Sequence, residues 1–421
     1  MKRKLIAAST ALLLLGTLVT PCLAVNAKVI YRDPATAIVI SPGRKDILPD
    51  ISGQFSFDQI SSRMKRANLT ILSLQSTLDA QMAFDRQKAY SSLNGSIAQL
   101  EITLYYLKLA AGPTPTLEQT LTMAQLESTI ASLETQLEAL KEDTYKENIA
   151  LFTMQIGDAI NQVIYNTELL YINIISVEHS LADLHRGLDT LERTLAEMEL
   201  RYELGQISYL TLEQMRETYR ATQSQATALE SNISTMKASL ENLLGTKVSG
   251  SIALSSLPEI SGTQKQIASL SYASGLATSK KNSYTIHQLE KNLADAEDAW
   301  KDVKKDYRPT TYQYKQGEQT YEAAVYTHQN GVKNYETAFL SVYNAIATAQ
   351  TSLDSLRIGY DFQKTLYAAE ERKYELGQIS AATLESAKDQ LNTAESAVTS
   401  AEITLFSAYN NYYWAYYYGL L

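Results

Sequence analysis

Four histidines and one cysteine are the softest metal ligands the chain carries. His179, His185, His287 and His328 do not pair at the i, i+4 spacing that sets two imidazoles on one helix face, and no cysteine stands beside them. Each reads as a solvated or seam-edge histidine. The 46 acidic residues are scattered among 37 basic ones, the pattern of i, i+4 ion pairs on solvent-facing helix surfaces rather than of paired carboxylates for acid–base work. The sequence has no glycine-rich phosphate loop and no nucleophile elbow. These residues predict no catalytic site, no cofactor and no metal, and hence a protein that is not an enzyme.

The cysteine, Cys22, lies in a segment with another purpose. Lys2, Arg3 and Lys4 precede an apolar run from Leu5 to Val19, followed by small residues at Ala24 and Ala27. Residues 1–27 read as a secretory signal peptide, and either cleavage point discards Cys22. Acylation of Cys22 would need a small residue before it, and Pro21 stands there. Without the three basic residues of the leader, the net charge of −9 becomes about −12, spread evenly, which favours neither nucleic acid nor an anionic membrane. Beyond the leader the best apolar stretch, Ile164 to Val177, is interrupted by Asn166, Glu168 and Asn173, so no transmembrane helix is expected.

Long helices must position whatever function the chain has, because the stretches 116–257 and 310–421 contain no proline at all, and uninterrupted helix is their natural reading. Residues 28–55 read as an extended lead-in. Ser56 and Gln59 form a capping-box pair that starts a first helix, running through Ile60, Met64, Ala67, Ile71, Leu74 and Leu78 to the loop Gly112-Pro113-Thr114-Pro115. Thr116 and Gln119 repeat the cap. The next seam, Met123, Leu126, Ile130, Leu133, Leu137 and Leu140, alternates steps of three and four, as does Ile174, Val177, Leu181, Leu184, Leu188, Leu191, Leu195, Met198 and Tyr202. That average of 3.5 predicts coiled-coil packing with a left-handed supercoil. A single helix from 116 to 203 would be about 130 Å long. Leu100, Ile102, Leu104 and Tyr106 fit strand or helix, with helix favoured, while Thr310 to Lys315 reads as strand-like.

The most informative feature is Tyr202-Glu203-Leu204-Gly205-Gln206-Ile207-Ser208, which recurs unchanged 172 residues later as Tyr374-Glu375-Leu376-Gly377-Gln378-Ile379-Ser380. The same offset superimposes Thr211-Leu212-Glu213 on Thr383-Leu384-Glu385, and the seam Ile174, Val177, Leu181, Leu184 and Leu188 on Ile346, Ala349, Leu353, Leu356 and Tyr360. This is an internal duplication. Gly205 and Gly377 are placed to end a helix in the left-handed conformation, with Ser208 and Ser380 capping the next. The fold class is therefore all-α, two tandem repeats of long antiparallel coiled-coil hairpins, over 56–245 and 264–421, joined by a Ser/Gly-rich linker at 246–263.

The paired heptapeptides, the small residues that follow them (Ala221, Ala226 and Ala228; Ala387, Ala394, Ala397 and Ala401), the Leu243-Leu244-Gly245 ending and the echoes Ala67-Asn68-Leu69 and Asn282-Ser283-Tyr284 resemble the TolC-like outer membrane efflux protein family. The resemblance spans roughly residues 56–418. It implies a trimeric, hollow α-helical duct of an efflux or type I secretion assembly, in the outer membrane and periplasm or at the cell surface. Its partners would be a periplasmic membrane-fusion adaptor and an inner-membrane pump. The adaptor would dock at the helical tips, here Tyr202, Leu204, Gly205, Gln206, Ile207 and Ser208 with Tyr374, Leu376, Gly377, Gln378, Ile379 and Ser380. The family also builds a membrane β-barrel, for which this chain leaves little room. Where relatives can gate the tip with charge, Ile207, Thr211, Ile379 and Thr383 stand, so that a salt-bridged gate does not transfer. A structural coiled-coil protein of the cell surface is the alternative. The aromatic run Tyr409 to Tyr418 reads either as a belt at a membrane surface or as tyrosines packed between helices.

Overall fold

The computed structural model describes residues 54–112, 115–269 and 271–421. The signal peptide and nearly all of the 28–55 lead-in fall outside the described residues. Among those described, no strand forms, and the backbone is helix joined by turns and by the non-helical stretch 244–261, with one isolated parallel bridge between Phe55 and Leu254. The all-α class is thus observed.

After a 3-10 turn at Phe57–Gln59 come α1 (Ile60–Ala67), α2 (Leu69–Met82), α3 (Arg86–Ala111), α4 (Leu117–Ala139), α5 (Glu142–Glu203) and α6 (Tyr209–Leu243). Then follow α7 (Gly262–Ala268), α8 (Tyr272–Asn282), α9 (Tyr284–Asp306), α10 (Tyr312–Glu375) and α11 (Ala381–Tyr418). The capping boxes at Ser56/Gln59 and Thr116/Gln119 both form; the Thr116 amide donates to Gln119 Oε1 at 2.9 Å.

Three expectations need correction. The helix expected from Ser56 to the 112–115 loop is three pieces, parted at Asn68 and at 83–85. The expected single helix from 116 to 203 breaks at Leu140-Lys141, leaving α5 with 62 residues. At the 83–85 break the Asp85 side chain accepts from the Lys88 amide at 3.0 Å and restarts the helix. The breaks at 83–85 and 140–141 meet: Arg86 donates to the Leu140 carbonyl at 2.9 Å, and Phe84 lies 6.1 Å from Tyr145. Third, of the strand-like Thr310 to Lys315, Thr310 and Thr311 lie in the turn before α10 and Tyr312 to Lys315 open that helix, where Tyr314 packs edge-on against Trp300 at 4.8 Å; tertiary packing overrides local β preference.

The chain divides into two units. One comprises Gln75–Gly157 and His287–His328, containing the α3–α4 hairpin and the turn between α9 and α10. The other comprises, among the described residues, 54–74, Asp158–Ile286 and Gln329–Leu421. Its core gathers aromatic side chains: Phe57 meets Tyr171 and Phe406 edge-on at 5.6 and 5.0 Å, and Phe339, Tyr412 and Tyr343 form a second cluster. The Tyr171 hydroxyl sits 2.6 Å from the Ser255 carbonyl and 3.0 Å from that of Phe55, tying the linker and the lead-in to α5. Tyr412, Tyr413 and Trp414 are buried between helices, and the Trp414 indole donates to the buried Glu168 at 2.7 Å. The aromatic run therefore packs inside this unit rather than forming an external belt.

Candidate functional site

The two heptapeptides are the best candidate, and backbone hydrogen bonds build them identically. At the end of α5 the Gly205 amide donates to the Tyr202 carbonyl at 2.9 Å and the Gln206 amide to that of Arg201 at 2.8 Å. At the end of α10 Gly377 reaches Tyr374 and Gln378 reaches Lys373, both at 2.9 Å. This is the Schellman closure, which requires a left-handed residue. Gly205 and Gly377 supply it at φ +71° and +70°. Ser208 and Ser380 then accept from the amides of Thr211 and Thr383, each at 3.2 Å, opening α6 and α11. Each turn satisfies its own helix ends, with no help from another element.

The side chains at these turns face water. Leu204 and Leu376 are 63% and 60% exposed, Tyr202 and Tyr374 41% and 44%. Gly205, Gln206, Ser208, Gly377, Gln378 and Ser380 are exposed as well, and only Ile207 and Ile379 are half-buried. Apolar side chains held in water at a rigid bend suit contact with another molecule rather than chemistry.

Identity of sequence hides a difference in bracing. In the first turn Tyr202 lies 6.1 Å from Tyr209, while Arg216 bridges Glu199 at 2.9 Å and Glu213 at 2.8 Å. The Arg216 hydrogen bond holds the Glu213 carboxyl below its usual range. The second turn has Ala381 in place of Tyr209 and Lys388 in place of Arg216. Here Glu385 is taken from outside, by Arg193 of α5 at 2.7 Å, which also holds Asp389 at 2.8 Å. Thus α5 of the first repeat is pinned to α11 of the second. Sequence reading missed Arg193, because its partners lie far along the chain and the duplicated position is Thr365.

Further along α5 the same helix pair is clasped again. Ser396 donates to Asp183, and His179 Nε2 stands 3.0 Å from both the Ser396 hydroxyl and carbonyl. A nucleophilic triad would put the carboxylate on the far ring nitrogen. Here Asp183 and His179 approach the same serine, so the arrangement fastens helices. A groove of about 410 Å³ between α5, α10 and α11, lined by residues such as Ile172, Ser176, Ala349 and Ser407, contains no titratable side chain. No group of three potential metal ligands comes together among the described residues.

The opposite helix ends are closed by packing. Gly245 and Gly419, at φ +65° and +64°, end α6 and α11 against the kinks that part α1 from α2 and α8 from α9. A Cβ on Gly245 would lie 2.5 Å from the Ala67 carbonyl oxygen, and one on Gly419 2.4 Å from Ser283 Cα. Asn68 donates to the Leu243 carbonyl at 2.7 Å, and Asn282 to that of Tyr416 at 3.2 Å. Glu241, one turn before Gly245, accepts from the amides of Ser249, Gly250 at 2.7 Å, Ser251 at 3.2 Å and Ile252 at 2.9 Å. Burial would raise its pKa, but these amides and the Ser249 hydroxyl outweigh it and hold the carboxyl at about 2.

Across 92% of its length the chain superimposes on 98% of the outer-membrane channel OprN, with a TM-score of 0.51 and 12% sequence identity. The chain has the TolC-like helical fold. Other solved structures that it resembles are the open state of the MtrE outer membrane channel of Neisseria gonorrhoeae (14% identity, TM-score 0.42, 86% of this chain and 89% of that one) and the CmeC outer membrane channel of Campylobacter jejuni (15%, 0.39, 67% and 67%). No family model matches the chain, and no curated protein matches it at a significant level. Within the TolC-like fold, the segments 86–139 and 284–328 of this chain are helical hairpins.

Proposed function

We propose that the protein is an exported TolC-like duct component of an efflux or type I secretion assembly, made of the repeats 56–245 and 264–421 joined by 246–263. It acts as a homo-oligomer, a trimer by resemblance, in the outer membrane and periplasm or at the cell surface. A membrane-fusion adaptor docks at the turns 202–208 and 374–380 and links the duct to an inner-membrane pump. It carries no catalytic centre.

The observation that carries this reading is the pair of identical, self-closed helix reversals that keep Leu204, Tyr202, Leu376 and Tyr374 in water at the ends of helices in a TolC-like fold. Folding alone does not require leucine there. Single cysteines at Leu204 and Leu376, fitted with a photo-crosslinker in cells, test it. Crosslinks to a membrane-fusion adaptor are expected, and their loss on Leu204→Asp with Leu376→Asp. Repeated absence of any adaptor among the products sinks the duct.

A second reading, a structural coiled-coil protein of the cell surface without transport, draws on the absence of strands among the described residues. Mass measurement of the purified chain separates the two: a closed trimer supports the duct, and a monomeric rod the scaffold.

A further inference from the structure

The α3–α4 hairpin carries more apolar surface than its own seam uses. Ile97, Leu100 and Leu104 of α3 and Ile130 and Leu133 of α4 are buried or half-buried. On the opposite face of α3 stand Ile102, Tyr105, Tyr106 and Leu109, exposed by 51, 64, 63 and 67%. Their spacing of three and four makes them one stripe. Leu117 and Leu121 of α4, 77% and 62% exposed, likewise face away from its seam. All six gather within the last turns before the loop at 112–116, so both outer edges of this end are apolar. A partner helix covers one edge only, whereas a surrounding medium covers both.

Charge is withdrawn from the same end. Between 102 and 121 only Lys108 and Glu118 are charged. Lys108 leans back to meet Glu127 at 2.7 Å, in the direction that helical side chains tilt, and so carries its ammonium away from the loop. Glu118 remains, in the first turn of α4. Tyr105 and Tyr106 lie edge to face at 5.7 Å, rings with an apolar body and a polar rim. The turn from α9 to α10 in the same unit is the contrast: Lys304, Lys305, Asp306 and Arg308 crowd it with charge.

We propose that the loop end of the α3–α4 hairpin dips into the surface of a phospholipid bilayer as an interfacial anchor. No helix of the described residues is long and apolar enough to cross a membrane. The ten residues from 102 to 111 rise about 15 Å, so the turns nearest the loop fill the roughly 5–10 Å depth of an interfacial element and leave Tyr105 and Tyr106 at headgroup level. Glu118 keeps the insertion shallow. The paired breaks at 83–85 and 140–141 bound this hairpin at both ends. Attraction is apolar, without a basic patch, so that zwitterionic and anionic lipid serve alike.

Flotation of the purified full-length exported chain tests this, with one set of vesicles of phosphatidylcholine and another of phosphatidylethanolamine with phosphatidylglycerol. The wild type floats with both. Combined Ile102→Ser, Tyr106→Ser, Leu109→Ser, Leu117→Ser and Leu121→Ser, all exposed and hence neutral for folding, lowers the vesicle-bound fraction at least tenfold with an unchanged helical spectrum. The control Ile358→Ser with Phe362→Ser, exposed on α10, floats as the wild type does. A wild type that stays with the sediment, or a five-site variant that floats undiminished, overturns the proposal. So does a variant whose oligomeric mass falls while its flotation is unaltered, because the surface then belongs to a second copy of the chain. Absence of adaptor crosslinks at the turns would sink the duct and leave the flotation result standing.

Discussion

Gly205 and Gly377 close their helices with the same left-handed geometry as Gly245 and Gly419, yet the two pairs live in opposite surroundings. A Cβ at either of the first pair meets nothing within 4 Å, whereas one at either of the second drives into the backbone of Ala67 or Ser283. At the packed ends, tertiary structure dictates the residue. At the exposed turns only the backbone angle does, and the side chains around the glycine, the capping serines apart, are left over for another purpose. That two copies 172 residues apart agree at all six positions around the glycine fits the proposed docking of a partner.

The comparison breaks most readily by adding methyl groups. Gly419→Ala and Gly245→Ala should each destabilise by about 3 kcal/mol, the sum of left-handed strain and overpacking. Gly205→Ala and Gly377→Ala should cost only the strain, about 1 kcal/mol. Urea titrations followed by circular dichroism give all four numbers. Equal losses in the two pairs would mean that the turns are held by more than their own hydrogen bonds.

The packed ends also answer to pH through Glu241. Its folded pKa of about 2 lies below the ordinary 4.5, so the stabilisation is complete above 4.5 and drains away as pH falls through 2. Glu241→Gln keeps the shape but removes the charge and places an amide donor against backbone donors, costing roughly 2 kcal/mol at neutral pH. Below about pH 2 the gap between variant and wild type should close. A gap independent of pH would mean that the amide nest around Glu241 does not bind the charge.

Much of this was legible from the residues. The glycine turns, the serine caps and the Thr116 box are local, written within a few residues of where they act. The kinks at Asn68 and Ser283 could be noticed as echoes, but their partners Gly245 and Gly419 could not be assigned, because a kink and the helix end that fills it are distant in sequence. The breaks at 83–85 and 140–141 lack glycine and proline; Asp85, an N-cap type three residues before Lys88, was the one sign. Arg193 left no sign, since an arginine on a helix surface looks the same with or without Glu385 across from it. Burial settled the aromatic run: a row of tyrosines is amphipathic at every position, and only the neighbouring helices decide that Tyr412 goes inside and Tyr409 stays half-buried.

The caps test the exposed turns more gently. Ser208→Ala and Ser380→Ala each remove one acceptor for a helix N-terminus and should cost about 1 kcal/mol. Because Arg216 braces the first turn within its own hairpin, between Glu199 and Glu213, while Glu385 of the second is held only from α5 by Arg193, hydrogen exchange near Thr211 should rise less than near Thr383 in the matching variant. Equal exchange would remove the bracing argument.

The smallest effect returns to the packed side. The Tyr412 hydroxyl is buried without a hydrogen-bond partner, with burial pushing its pKa up to about 12, and it stands where a Cβ on Gly275 would meet it at 2.6 Å. A desolvated hydroxyl with no partner opposes folding. Tyr412→Phe removes it and leaves the ring between Phe339 and Tyr343, at 5.7 and 6.0 Å. Stability should be unchanged or higher by up to about 1 kcal/mol, read as a shift of the urea midpoint at constant slope. A loss of similar size would mean that the hydroxyl is bonded to ordered water, and that the core around Gly275 is wetter than its side chains suggest.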